Sequence, residues 1–170
     1  MTTDALRGLD LSGKVAALIG VGSDIDRAIA MVCAEAGAQL ALATQSGEQA
    51  QEFAMNSIAN EAWAVGAEQF VVTTDAAESG ALAAFAAEVL RRYSRCDLVM
   101  VGEADRTPLL VGLAAAAFGE SLAAVAGRFV VVATTLAELT SSLPEGAIAA
   151  TIHPSTPADA AAALTRALTT

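Results

Sequence analysis

The sequence predicts a doubly wound α/β domain: a parallel sheet of about six strands in the order 3-2-1-4-5-6, with helices on both faces. Three observations carry this. Short apolar runs alternate with longer amphipathic stretches along the whole chain, which is how repeated strand–helix units read. No low-complexity linker and no internal repeat of fixed period interrupts them. The 170 residues, 55% hydrophobic and 16% charged, suit one compact domain over residues 1–170 and leave no room for a second.

The elements follow in order. Residues 14–20 (KVAALIG) form a buried first strand. After Ser23, the residues Ile25, Ala28, Ile29, Val32, Cys33 and Ala36 recur at helical spacing, and Gly37 is a natural stop. Residues 39–44 (QLALAT) read as the second strand. Residues 47–63 form a less regular helix with Phe53, Ala54 and Ile58 on one side, and a third strand lies around 69–74. The next helix is the cleanest: Leu82, Phe85, Ala86, Val89, Leu90 and Tyr93 make one stripe opposite Glu88, Arg91, Arg92 and Arg95. Residues 96–102 (CDLVMVG) return as the fourth strand. Residues 108–126 are apolar almost all round, which fits a helix covered by the sheet on one side and by something else on the other. A fifth strand at 129–133, a short helix at 136–143 stopped by Pro144, a sixth strand at 147–152 and a last helix at 158–168 complete the chain. A sheet of this order places its ligand crevice at the carboxyl ends of strands one and four.

Composition excludes several classes of function. The 19 acidic and 9 basic residues give a formal charge of −10, so nucleic acid and anionic membranes are repelled rather than bound. No apolar stretch reaches the roughly 18 uncharged residues a bilayer span needs. The start carries Asp4, Arg7 and Asp10 and no apolar secretory core, so a cytoplasmic protein is expected. Cys33 and Cys96 share no metal-type spacing, there is one histidine, and no metal site is expected. A mean hydropathy of +0.53 is high for so short a chain, and some of that apolar surface is expected to face another subunit. Few lysines beside abundant arginine and alanine resemble the usage of a GC-rich bacterial genome.

The opening LDLSGKVAALIGVGSDIDRAIAMVCAEAGAQLALATQS resembles the first βαβ unit of the short-chain dehydrogenase/reductase family. So does FVVTTDAAESGALAAFAAEVLRRYSRCDLVMVGEA, which is similar to that family's third strand, its Asp, the helix after it and the fourth strand. The likeness covers residues 9–104 well, and 127–134 and 147–155 more loosely. It implies a Rossmann-like fold and a nicotinamide dinucleotide, NAD(P), as cofactor.

The family's motifs match only in part. Its glycine-rich signature, Thr-Gly-x-x-x-Gly-x-Gly, lets the backbone approach a diphosphate at a helix N-terminus. Here Ile19 stands at the threonine, Gly20 matches, and Asp24 and Asp26 replace the other two glycines. In the general G-x-G-x-x-G register Gly20 and Gly22 fit, and the third place is Ile25. A carboxylate at contact distance from a diphosphate costs about 1 to 4 kcal/mol, against about 0.3 to 1 kcal/mol returned by the helix dipole. Two of them predict a loss of roughly a thousandfold in affinity. The same residues also read as a helix start: Ser23 caps, Asp26 completes a box-like pair and Asp24 offsets the dipole, the carboxylates standing where phosphate would sit. Thr44 and Gln45 occupy the place of the family's ribose-binding acid, Asp75 aligns with its adenine-contacting Asp, and Val101, Gly102, Glu103 and Ala104 stand for Asn-Asn-Ala-Gly.

Catalysis in the family needs a tyrosine with a lysine four residues later, the lysine lowering the phenol's pKa. This chain has one tyrosine, Tyr93, and one lysine, Lys14, on different elements. The family's catalytic serine maps to Thr134, and the segment that should carry tyrosine and lysine is compressed into residues 135–146. The terminal substrate lobe is also expected to be missing. His153, at the end of the sixth strand, together with Glu103 and Asp105, makes the one acid/base cluster that can be assembled, so Thr134, His153 and Glu103 are the weak catalytic candidates. These readings predict a catalytically silent, cofactor-free subunit in a homo- or hetero-oligomer. It would join itself or a full-length active relative through Leu109 to Val125, one of the most apolar stretches, and the short helix that follows. The alternative is an NAD(P)-dependent oxidoreductase with atypical catalytic residues, and a small-molecule sensor in the same crevice is a third possibility.

Overall fold

The computed structural model describes residues 8–132 and 145–170. Its elements are β1 (Val15–Gly20), α1 (Asp24–Glu35), β2 (Gln39–Thr44), α2 (Gln49–Ala64), β3 (Gln69–Val72), α3 (Ala81–Tyr93), β4 (Leu98–Val101), α4 (Thr107–Ala124), β5 (Arg128–Val132), β6 (Ile148–Ile152) and α5 (Pro157–Thr169). The six strands form one sheet in the order β3-β2-β1-β4-β5-β6, every pair parallel. Fold class, strand order and each described element agree with the sequence reading to within a few residues. The short helix expected at 136–143 lies outside the described residues.

Strand side chains alternate between two cores. Ala16, Leu18, Leu40, Leu42, Met100 and Val130 point to the side covered by α1, α2 and α5. Val15, Ala17, Ile19, Val99, Val101 and Phe129 point to the side of α3 and α4. Because both faces are covered, the strands read as unbroken apolar runs. On the second face Phe85 packs edge-on against Phe70 and Phe118, which fixes α3 against α4.

Three expectations need correction. Phe53 is 65% exposed, because α2 turns Met55, Ile58, Ala59 and Ala62 inward instead. Leu90 is 39% exposed, at the edge of the α3 stripe, where Phe85, Ala86 and Val89 fill the space under the helix. The apolar stretch thought too short for a bilayer is an 18-residue helix, α4, with a mean hydropathy of 1.4 and so long and apolar enough to span one by length and composition. In the fold Leu110, Val111, Ala114, Phe118 and Leu122 of α4 are buried in the core, while Leu109 and Leu113 face outward.

Candidate functional site

The strand order reverses at β1, which has β2 on one side and β4 on the other, so the crevice lies above the carboxyl ends of β1 and β4. The chain leaves β1 at Gly20, turns through Gly22 with φ +80°, and enters α1 at Asp24. Only glycine adopts that backbone readily. Ser23 caps α1 by accepting a hydrogen bond from the Asp26 N–H at 3.1 Å, and Asp26 answers the Ser23 N–H, so the capping box read from sequence is present.

Asp26 does more than cap. Its Oδ2 accepts from the backbone N–H groups of Val21 at 2.9 Å, Gly22 at 3.1 Å and Ser23 at 3.4 Å. The side chain is fully buried, and among the described residues no cation pairs with it. Burial pushes its carboxyl up to about 6 from 3.8, and the three backbone N–H groups and the Ser23 hydroxyl pull the other way. Its Oδ1 has no hydrogen-bond partner among the described residues. Glycines at the ends of two strands make room for it: a Cβ on Gly20, the last residue of β1, would sit 2.5 Å from Oδ2, and one on Gly102, just past β4, would collide with Oδ1. Asp24, expected to oppose phosphate jointly with Asp26, is exposed on the first turn of α1.

The rest of the crevice is likewise turned inward. Gln45, just past β2, is 1% exposed and donates from Nε2 to the carbonyls of Gly102 at 2.8 Å and Ile19 at 3.4 Å, joining the ends of β1, β2 and β4. Its Oε1 is the second buried acceptor without a partner among the described residues. Gln51 Oε1 accepts from the N–H groups of Gln45 and Ser46. The Thr44 hydroxyl donates to the Thr74 carbonyl at 2.7 Å and accepts from its N–H at 2.8 Å. Beyond β4, the Thr107 hydroxyl donates to the Gly102 carbonyl at 2.7 Å and accepts from the Ala104 N–H at 2.8 Å, closing the turn where the family carries its asparagines. Asp75 accepts from Arg106 at 2.6 Å and from the Ala77 N–H at 3.0 Å.

A dinucleotide diphosphate does not fit the loop after β1 as it stands. Three N–H groups of this loop are already held by Oδ2, and the carboxylate repels a second anion in a site sheltered from water. Sequence reasoning placed Gln45 at the ribose reader's position without its contacts, and missed Gln51 and Arg106. The partners of Gln45 and Arg106 come from other strands and loops, so local sequence carries no signal for them. The Gln51 contact with the Gln45 and Ser46 N–H groups is local and shows only as an amide side chain at the start of α2.

The sequence candidates for chemistry leave the sheet at different strand ends. Glu103 leaves the sheet after β4 and His153 after β6, with β5 between, so their strand ends are about 10 Å apart by interstrand spacing. Thr134 lies outside the described residues. Tyr93 is on α3 with its hydroxyl 3.5 Å from the Leu40 carbonyl, near the amino end of β2, and burial pushes its phenol up, with the nearby Glu68 charge adding to it. Lys14 precedes β1 and lies 3.9 Å from Asp97. The chain's one tyrosine and one lysine are thus at the edge of the sheet opposite the crevice. Among the described residues no three His, Cys, Asp or Glu side chains group as metal ligands would.

No protein-family model matches the sequence, and no curated protein does. Solved structures do. A metagenomic short-chain oxidoreductase in complex with NADP superposes with a TM-score of 0.73 at 20% identity, over 93% of this chain and 90% of that one. A short-chain dehydrogenase/reductase from Burkholderia phymatum in complex with NAD gives 0.63 at 22% identity, over 94% of this chain and 59% of that one. One from Mycobacterium marinum gives 0.63 at 21%, over 76% and 59%. This chain has the Rossmann-like fold of the short-chain dehydrogenase/reductases, and it spans 59% of the length of the last two.

Proposed function

We propose that the protein is a catalytically silent, cytoplasmic, short-chain dehydrogenase/reductase-like subunit that binds no nicotinamide cofactor and works as a structural or regulatory partner. The observation that carries this is the position of Tyr93 and Lys14 at the amino edge of the sheet. Acid/base chemistry of the family's kind needs a phenol within hydrogen-bond reach of substrate and held low by a neighbouring cation. Tyr93 is on the wrong edge and its phenol is pushed up. The partner is a second copy or a full-length relative, seated on the outward face of α4, where Leu109 is 56% and Leu113 is 37% exposed. An apolar face of this kind is an aggregation hazard unless it is covered.

Native mass spectrometry of the tagged protein drawn from its own cells tests the reading. The expected result is a homo-oligomer or a complex with a larger dehydrogenase-like chain, with no dinucleotide on this subunit, and dissociation when Leu113→Glu is introduced. A strictly monomeric particle would sink it. The second reading, an NAD(P)-dependent oxidoreductase with atypical residues, is supported by the NADP and NAD complexes among the similar structures. One dinucleotide retained per chain would favour it, and the search for its chemistry would begin at Thr134 and His153.

A further inference from the structure

We infer that the Asp26 carboxylate is the resident anion of the loop after β1, and that taking it away turns this loop into a binding site for an external diphosphate. The inference stands apart from the subunit proposal, since a complex with another chain can form whether or not this loop is filled from within.

The geometry is that of an anion site already complete. Three consecutive N–H groups, those of Val21, Gly22 and Ser23, converge on one oxygen, and the turn that aims them needs the positive φ of Gly22. The site lies at the first turn of α1, where the helix dipole favours negative charge. Oδ2 saturates the cradle. Oδ1 is the second, independent observation: a fully buried oxygen without a hydrogen-bond partner among the described residues, lodged against Gly102 just past β4. A side chain serving only as a helix cap has no need to bury an unpaired oxygen there. The position of Oδ1 follows from Oδ2 sitting where the three N–H groups converge, with the rest of the carboxylate carried along.

The ligand class follows from the donors. Backbone N–H groups and a helix terminus recognise an oxyanion without reading a base or a sugar. On the nucleoside side of the crevice Gln45 stays tied to Ile19 and Gly102, and Asp75 stays paired with Arg106. Removing Asp26 alone should therefore admit inorganic diphosphate better than an adenine dinucleotide.

The test is an amide NMR titration of the full chain with inorganic diphosphate, then with NAD, on wild type and Asp26→Gly. In wild type the Val21, Gly22 and Ser23 amides are expected to stay unmoved up to about 1 mM of either compound. In the variant they are expected to move saturably, with diphosphate binding tightened by about tenfold or more and NAD gaining less. Saturable movement of these amides in wild type, or a folded variant that binds diphosphate no better, would overturn the inference. So would NAD gaining as much as diphosphate. Should the variant not fold, wild type still decides. On acidification from about pH 8 to about pH 4 the same three amides must shift together with one midpoint as Asp26 takes up its proton, and independent or absent shifts would refute a shared carboxylate.

Discussion

Two aspartates at opposite edges of one sheet take the same local job and are held in different ways. At the amino edge Asp97 accepts from the Val15 N–H at 2.9 Å, takes both arms of the Arg95 guanidinium, and has Lys14 within 3.9 Å. At the carboxyl edge Asp26 accepts from three N–H groups, is fully enclosed, and has no cation among the described residues. Asp97 is compensated by full charges beside one N–H group, and Asp26 by dipoles alone, those of three N–H groups and the Ser23 hydroxyl. Dipoles satisfy hydrogen bonds but return less than burial of a charge costs, so the carboxyl of Asp26 is pushed up. Asp26 is enclosed without a cation among the described residues, whereas Asp97, with 10% of its side chain exposed, is a part-buried carboxylate paired with arginine and lysine.

The sharpest way to break this comparison is pH. A carboxyl raised from 3.8 to about 6 on folding corresponds to about 3 kcal/mol. The native state holds the proton more tightly, so this contribution is fully present below pH 3.8 and is lost as pH rises through about 6. Asp26→Asn keeps an acceptor and removes the charge. Denaturant unfolding over that range is therefore expected to show the variant gaining about 3 kcal/mol on wild type with rising pH, and parallel curves would mean that Asp26 is not buried as an ion.

Next in size is Gly102→Ala, whose methyl would meet the Asp26 carboxylate; a loss of about 1 to 3 kcal/mol is expected. Most of it should vanish in an Asp26→Ala background, and an additive double-mutant cycle would deny the contact. Asp97→Ala leaves the part-buried Val15 N–H without its acceptor and is expected to cost about 1 to 2 kcal/mol. The smallest effect is at Arg106→Ala. Its pair with Asp75 is partly exposed, so thermal unfolding should register no more than about 0.5 kcal/mol, and less in high salt.

Much of the architecture was legible because it rests on local rules. The runs at β1, β2 and β5, the stripe of Leu82, Phe85 and Val89, and the Ser23–Asp26 capping box each declare themselves within a few residues. Periodicity was less informative at the margins. It put Phe53 and Leu90 inward, where Met55, Ile58 and Ala59 of α2 and Phe85, Ala86 and Val89 of α3 take the buried places instead. The candidate site was legible only as a set of departures from a pattern, with glycines and asparagines replaced. Its positive content was not: that Gln45 folds back to tie three strand ends, or that Arg106 meets Asp75 across 31 positions, depends on which strands are neighbours.

The sequence alone determined the parallel doubly wound sheet, the start of α1 at Ser23 and the separation of Tyr93 from Lys14, because hydrophobic period, capping chemistry and residue counts act within one element or none. Tertiary structure decided what Asp26 is. Its cap is set by residues 23 to 26, but its burial depends on Gly102 arriving from β4 with no side chain and on the turn at Gly22 aiming three N–H groups at one point. The same carboxylate on an exposed helix start would remain an ordinary cap; enclosed between two strand ends, it becomes the anion that the loop holds.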